Sequence, residues 1–243
     1  MPTLLVRPVT IARRLARGAL ALPALLVACA PPVDIARVPS PASVRGVDTR
    51  IAAHLGRPAL MVMLDDAEQA AQRAGAGGNR ATWVALGDDF ADGVLEADVA
   101  ATLTGRGGPD SRGFVGLAWH IADDRDAFEA VYLRMTNGTR NVPPPPSPRD
   151  TRAVQYIAHP AFHFGVSRER APGRYEQAAP VALGSWHRLR VDVAGARVIA
   201  HVDGVRVLEI DDARRTAPRG RWGIWVGDGT AAYVANVRVT RRR

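Results

Sequence analysis

The sequence contains no lysine: all 32 of its basic residues are arginine, set against 24 acidic residues for a formal net charge of +8. Four of those arginines, Arg7, Arg13, Arg14 and Arg17, precede Cys29 with no acidic residue among them, so the rest of the chain carries an excess of only four, mixed in sign along its length. Nucleic-acid-binding domains gather their basic residues on one face. This dispersed excess does not, and no nucleic-acid partner is expected. Cysteine is nearly absent too: Cys29 stands alone, which excludes an internal disulfide. There is no Gly-x-Ser-x-Gly, His-Glu-x-x-His or Cys-x-x-Cys motif. The glycine-rich stretch 74–79 is followed by no lysine and is read as a loop, not a phosphate cradle.

What the N-terminus does contain is a targeting pattern. A basic segment, 7–17, leads into an apolar run, 18–28, too short for the ~20 residues that span a bilayer. This is the layout of a cleavable secretory signal. Leu26-Val27-Ala28-Cys29 follows and resembles a bacterial lipobox, with small residues before the one cysteine that could receive a lipid. The expectation is a signal peptide over 1–28 and a lipid anchor on Cys29. A flexible stem over 29–49 is kept extended by Pro31, Pro32, Pro39 and Pro41. The place expected is the cell envelope, at the outer membrane or the periplasmic face.

From about Arg50 the chain reads as strands. Candidates are 82–86, 93–103, 113–121, 128–136, 154–158, 186–193, 197–202, 205–210, 223–226 and 231–240, with one helix over 66–73. Asp203-Gly204 suits a two-residue hairpin turn with positive φ. Residues 141–152, with Pro143 to Pro146 and Pro148, cannot join a ladder and are expected as a surface insertion. About ten short strands in one domain, 50–243, predict an all-β, two-sheet antiparallel sandwich.

Alternation assigns faces, because successive strand residues point to opposite sides. Val131, Leu133 and Met135 oppose Tyr132 and Arg134. Val115, Leu117, Trp119 and Ile121 oppose His120, and Leu95, Ala97 and Val99 oppose Glu96 and Asp98. Leu95, Val99, Leu117, Trp119, Val131, Leu133, Leu189, Val191 and Ile224 are the predicted core. Trp222 and Trp225 have opposite parity, so one of the two should leave the core.

FADGVLEADV (90–99), GFVGLAWHI (113–121) and FEAVYLRMTNG (128–138) resemble the early strands of concanavalin A-like (laminin G-like) jelly rolls. WHRLRVDVAGARVIAHVDGVRVLE (186–209), GRWGIWVG (220–227) and residues 232–239 resemble their closing strands. The Tyr-Leu-Arg-x-Thr-Asn-Gly run and the Gln-Tyr-x-x-His-Pro run resemble exported bacterial proteins near the 3-keto-disaccharide hydrolase-like domains. The resemblance spans roughly 82–240 and implies a jelly roll, a fold that hosts lectins, hydrolases, lyases and adhesion modules alike. It also implies a test for catalysis. Retaining glucanases of this fold carry Glu-x-Asp-x-x-Glu to supply two carboxylates. Here the run is Glu96-Ala97-Asp98-Val99-Ala100-Ala101, and the second glutamate is missing.

Tyr132 and Arg134 leave one strand on its polar side, and Asn137, Gln155 and His159 sit where strands meet loops. Sugars are bound by aromatic faces and by planar donors and amides. Tyr132, Arg134, Asn137, Gln155 and His159 are therefore expected to converge on a concave face rimmed by 141–152, approached by Glu96 and His120. Arg134 is expected to be exposed there, so that losing it spares the fold. Pro160 rules out a helical metal pair between His159 and His163. Asp123, Asp124 and Asp126 make a turn whose oxygens suit calcium, although aspartates populate turns for local reasons; no other cofactor is expected. The reading is a membrane-anchored module that recognises a carbohydrate or polysaccharide. A glycoside hydrolase or lyase akin to the 3-keto-disaccharide hydrolases is the alternative, and a protein-interaction lipoprotein a third.

Overall fold

The structure, a computed structural model, describes residues 32, 39–40, 43–75, 79–122, 126–215 and 217–242. The expected signal peptide, Cys29 and most of the stem lie outside the described residues. Two antiparallel seven-stranded sheets make a sandwich. The first runs, edge to edge, β1 (Val44–Arg45), β4 (Trp83–Phe90), β13 (Gly220–Val226), β6 (Phe114–Ile121), β7 (Phe128–Arg134), β8 (Val154–His159) and β9 (Glu176–Gln177). The second runs β12 (Val205–Ile210), β11 (Arg197–Val202), β10 (His187–Ala194), β5 (Gly93–Leu103), β14 (Thr230–Arg241), β3 (Arg57–Leu64) and β2 (Val47–His54). This is the all-β two-sheet sandwich expected from the alternation, and the jelly roll that the resemblance implied.

Each predicted strand is present, with ends shifted by a few residues. The predicted helix is α1 (Asp66–Arg73), started by the Asp65 carboxylate, which accepts the Glu68 amide. Asp203 (φ 50°) and Gly204 (φ 82°) make the hairpin turn between β11 and β12. A second hairpin, β2 to β3, turns through Leu55 and Gly56, both with positive φ. That hairpin and β1 revise the expected stem: residues 44–45 and 47–49 already stand in strands, so the ordered sandwich begins before Arg50. Arg57–Leu64 is apolar on both faces, with Ala59 and Met61 buried on one and Leu60, Val62 and Leu64 on the other, so it lacks the alternation of a half-exposed strand.

The nine predicted core residues are all fully buried and lie between the sheets. Full burial of side chains of this size contributes roughly 1.5–3 kcal/mol each. Trp222 joins this core, while Trp225 belongs to a second apolar cluster with Trp83, Phe128, Ala130, Tyr132 and Ile157 on the outer face of the first sheet. That sheet is thus apolar on both sides.

One parity assignment fails for a local reason. His120 adopts φ 51°, inside an irregularity of the β6–β13 register. The chain swaps sides there. Ile121 joins the outer cluster instead of the core, and His120 does not share the face of Tyr132.

Candidate functional site

The residues predicted to converge do so in part. Arg134 Nη2 donates to Tyr132 Oη (2.9 Å) and to Gln155 Oε1, and its Nη1 donates to Arg152 O (3.1 Å) and pairs with Glu176 (3.3 Å). Asn137 Nδ2 donates to the same Arg152 carbonyl at 3.0 Å. Gln155 Nε2 reaches Ser167 Oγ (3.1 Å) on α2 (Phe164–Arg170), and Arg168 of that helix grips Glu176 with two bonds of 2.7 Å. The insertion borders this network, as expected, through Arg149 and Arg152.

The expected exposure is absent. Tyr132 and Gln155 are fully buried, Asn137 is buried, and Arg134 is 5% exposed. The cover comes from α2, from β9 and from the segment 79–82, where Asn79 O accepts His159 Nδ1 (2.7 Å) and Arg80 O accepts Trp225 Nε1 (2.8 Å). Arg134 is therefore a buried cation in a structural ion pair, and the face that alternation marked as open is roofed. His159 keeps to this face but stacks on Phe128 (5.1 Å, 18°), four residues along the strand from Gln155, about 13 Å. Burial and nearby arginines outweigh its bond to Asn79 and Asp126's charge, so its pKa lies below the ordinary histidine value.

Glu96 and His120 do not join the group. His120 Nε2 donates to Ala91 O (2.8 Å) and its Nδ1 lies 2.6 Å from Glu129 Oε2, while Glu129 Oε1 accepts Tyr156 Oη (2.5 Å). All three side chains are fully buried at one end of the sandwich interior. Burial, and then the charge of Glu129, push the Tyr156 phenol far above its ordinary range. Of the aspartate turn, Asp123 and Asp124 lie outside the described residues, and Asp126 pairs with Arg45 at 2.5 Å. His163 Nδ1 accepts the Gly165 amide and caps α2. Among the described residues no group of three or more metal-ligating side chains assembles.

Glu96 lies instead on the outer face of the second sheet, within 3.4 Å of Arg238 and 3.8 Å of Arg190. Asp98, two residues on, accepts Arg57 Nη2 (2.5 Å), Arg188 Nε (2.9 Å) and Asn236 Nδ2 (2.9 Å). Burial raises its pKa, but the bonds and charges of Arg188 and Arg57 win and hold it below the ordinary carboxylate value. Beside it, His54 stacks on Tyr233 (4.4 Å, 17°), the Trp186 ring meets His54 edge-on (5.6 Å), and the Arg57 guanidinium lies 4.6 Å over Trp186. Bonds from His54 Nε2 to Gly184 O (2.7 Å) and from Trp186 Nε1 to His54 O (3.3 Å) fix the rings. His54, Arg57, Trp186 and Tyr233 are each half-buried, and Asn236 is exposed.

The strand register explains the gathering. Tyr233 pairs with Ala100 and with Met61, and Asp98 pairs with Arg188 and Ala235, so all share one side of the sheet. Asn236 reaches Asp98 because a bulge turns it to φ 50°. Ala101, where the glucanase pattern has its second glutamate, points the other way, fully buried between the sheets. Of this face only the polar parity of Glu96 and Asp98 was readable in the sequence. No motif marks His54, Arg57, Tyr233 or Asn236.

No protein-family model matches the chain, and no curated protein matches it in sequence. Solved structures are similar in fold. The carbohydrate binding module CBM66 from Bacillus subtilis superposes with a TM-score of 0.49 at 14% identity, over 80% of this chain and 94% of that one. The Bacillus licheniformis beta-glucanase gives 0.38 at 14% over 63% and 68%. The Caenorhabditis elegans galectin LEC-6 gives 0.38 at 13% over 68% and 95%. Such identities speak to fold and not to chemistry. Its two seven-stranded antiparallel sheets make the chain a two-sheet jelly-roll sandwich.

Proposed function

We propose that this domain recognises a saccharide on the outer face of its second sheet, and that the chain is exported and held at a membrane by lipid on Cys29. The observation that carries the saccharide reading is one juxtaposition. A half-exposed row of Tyr233, His54 and Trp186 stands beside Asp98, whose carboxylate gathers Arg57, Arg188 and Asn236. Aromatic faces suit the C–H faces of a sugar, and fixed planar donors suit its hydroxyls.

The reading is binding rather than hydrolysis. Glycoside cleavage needs one carboxyl kept protonated beside one ionised. Asp98 is held ionised by Arg188 and Arg57, Glu96 faces the guanidinium groups of Arg188, Arg190 and Arg238, and the second glutamate position is filled by an inward alanine. The export reading draws on the basic segment, the short apolar run and Leu26-Val27-Ala28-Cys29.

A glycan-array screen of the full chain, followed by calorimetry on any hit, tests the saccharide reading. Trp186→Ala and Asn236→Ala should each weaken the hit by about tenfold or more, roughly 1.4 kcal/mol. The second substitution guards against misfolding of the first, because Asn236 is exposed. Unchanged affinity in both variants overturns the assignment.

A further inference from the structure

A cleft of about 310 Å³ opens at the end of the sandwich, between the 103–112 loop and the insertion. Its lining includes Leu103, Gly108, Ser111, Arg112, Thr136 and Arg149, and no carboxylate. Both arginines are fixed from behind, chiefly by neutral groups. Arg149 Nε donates to Asn137 Oδ1 (3.1 Å), and Arg112 Nη1 donates to Pro109 O (2.7 Å) and Ser111 O (2.9 Å). Of the nearby acids, Asp110 reaches Arg112 Nη2 at 2.9 Å but is itself 96% exposed, and an exposed pair of that kind is weak. Asp228 lies under the loop with both oxygens engaged: Gly108 N and Ser111 Oγ at 2.8 Å on one, Gln69 Nε2 at 2.7 Å on the other. Glu176 is taken up by Arg134, Arg152 and Arg168.

Like charges are thus held together in a concave, partly desolvated place. The Arg112 pKa lies below the ordinary arginine value, first through burial and then through the positive charges of Arg149 and Arg134. Folding brings these cations together at some electrostatic cost, and an oxyanion seated between them would relieve it. Each guanidinium carries N–H donors beyond those bonds, and such planar donors suit a carboxylate or sulfate, with the hydroxyl of Thr136 beside them.

We propose that this cleft binds the acidic substituent of a saccharide, a carboxylate or a sulfate, through Arg112 and Arg149. The saccharide part of this assignment rests on the reading above; the oxyanion part stands on the cleft alone. In this arrangement Asn137 is a positioning residue, buried beneath Arg149 and holding its guanidinium.

The test uses calorimetric titration of the full chain with three probes: trigalacturonate, its methyl ester, and a sulfated neutral trisaccharide. Trigalacturonate or the sulfated sugar should bind and the ester should bind at least about tenfold more weakly, since charge-assisted bonds are the stronger ones. Arg112→Gln with Arg149→Gln should abolish that preference for the charged probe. Arg170→Gln with Arg219→Gln removes the same charge from exposed positions outside the second sheet and should leave it within about twofold, because screened surface charges act weakly at a distance. Equal losses in the two double variants reduce the effect to net charge and overturn the proposal, as does failure of both acidic probes to bind. Binding of acidic probes that survives Trp186→Ala but not the Arg112/Arg149 change keeps the oxyanion site and sinks the aromatic-face reading. The opposite pattern keeps the aromatic face and sinks the cleft.

Discussion

Replacing Arg134 by methionine removes a cation that four groups have been built around. The guanidinium is 5% exposed and bonds Tyr132 Oη, Gln155 Oε1, Arg152 O and Glu176. Glu176 keeps its two bonds to Arg168 and its contact with Arg152, so the anion is not stranded. The loss falls on Gln155 and Tyr132, both fully buried, at about 1–3 kcal/mol for each acceptor left without a partner. Breaking a buried pair outright costs about 3–5 kcal/mol. With Glu176 still held, and with methionine filling part of the volume, the expected destabilisation is about 3–5 kcal/mol. A domain of this size shifts its midpoint by about 2–4 °C per kcal/mol, so thermal unfolding followed by circular dichroism should move down by roughly 6–20 °C. A cycle with Glu176→Gln should show coupling, because the two side chains touch. The folded fraction should keep its saccharide affinity, since Arg134 lies on the first sheet. A loss below about 1 kcal/mol would return Arg134 to the exposed role that alternation gave it, and loss of affinity without loss of stability would return it to the site.

Leu133→Ala, fully buried between the sheets, should cost about 2–5 kcal/mol in urea unfolding, and a smaller loss would mean the core is looser than its burial implies. Asp98 has a folded-state pKa below its unfolded value. Its contribution is therefore present above the unfolded value, about 4, and fades as pH falls through the folded one. Asp98→Asn should flatten stability against pH below about 4, and an unchanged slope removes Asp98 from the account. Gly204→Val should weaken the β11–β12 hairpin, since a β-branched residue resists φ 82°; unaltered thermal unfolding would contradict that turn. Cys29→Ser should move the protein from the membrane to the soluble fraction or leave it uncleaved, and mass spectrometry finding an unmodified Met1 on a soluble chain ends the export proposal.

The architecture was readable where strands alternate, one face entering the core and the other carrying polar side chains. Leu95, Ala97 and Val99 against Glu96 and Asp98 report that directly. Arg57–Leu64 was not readable for the converse reason, since its Ala59, Met61 and Met63 side is apolar as well. The His120 swap was hidden because no side-chain pattern announces a left-handed residue in mid-strand, and histidine enters that region only occasionally.

The site was harder than the fold for a reason the first sheet makes plain. Alternation says which side of a strand a residue leaves, not what waits on that side. Tyr132 and Arg134 do leave opposite Val131 and Leu133, as their spacing requires, yet Ala118, Ala130, Ile157 and Trp225 leave with them and form an apolar surface that must be covered. The cover comes from α2 and the segment 79–82, and a buried guanidinium then needs Glu176 and carbonyl partners, which β9 and Arg152 supply. On the second sheet no segment among the described residues plays that part over Asp98. Charged side chains occupy the outer positions of β5 and β10, and arginines with carboxylates keep one another solvated there. The same period-two signal therefore marks a structural network on one sheet and an open surface on the other. What separates them is whether the neighbouring outward residues are alanine and tryptophan or arginine and aspartate, a comparison across strands that becomes possible only once their register is known.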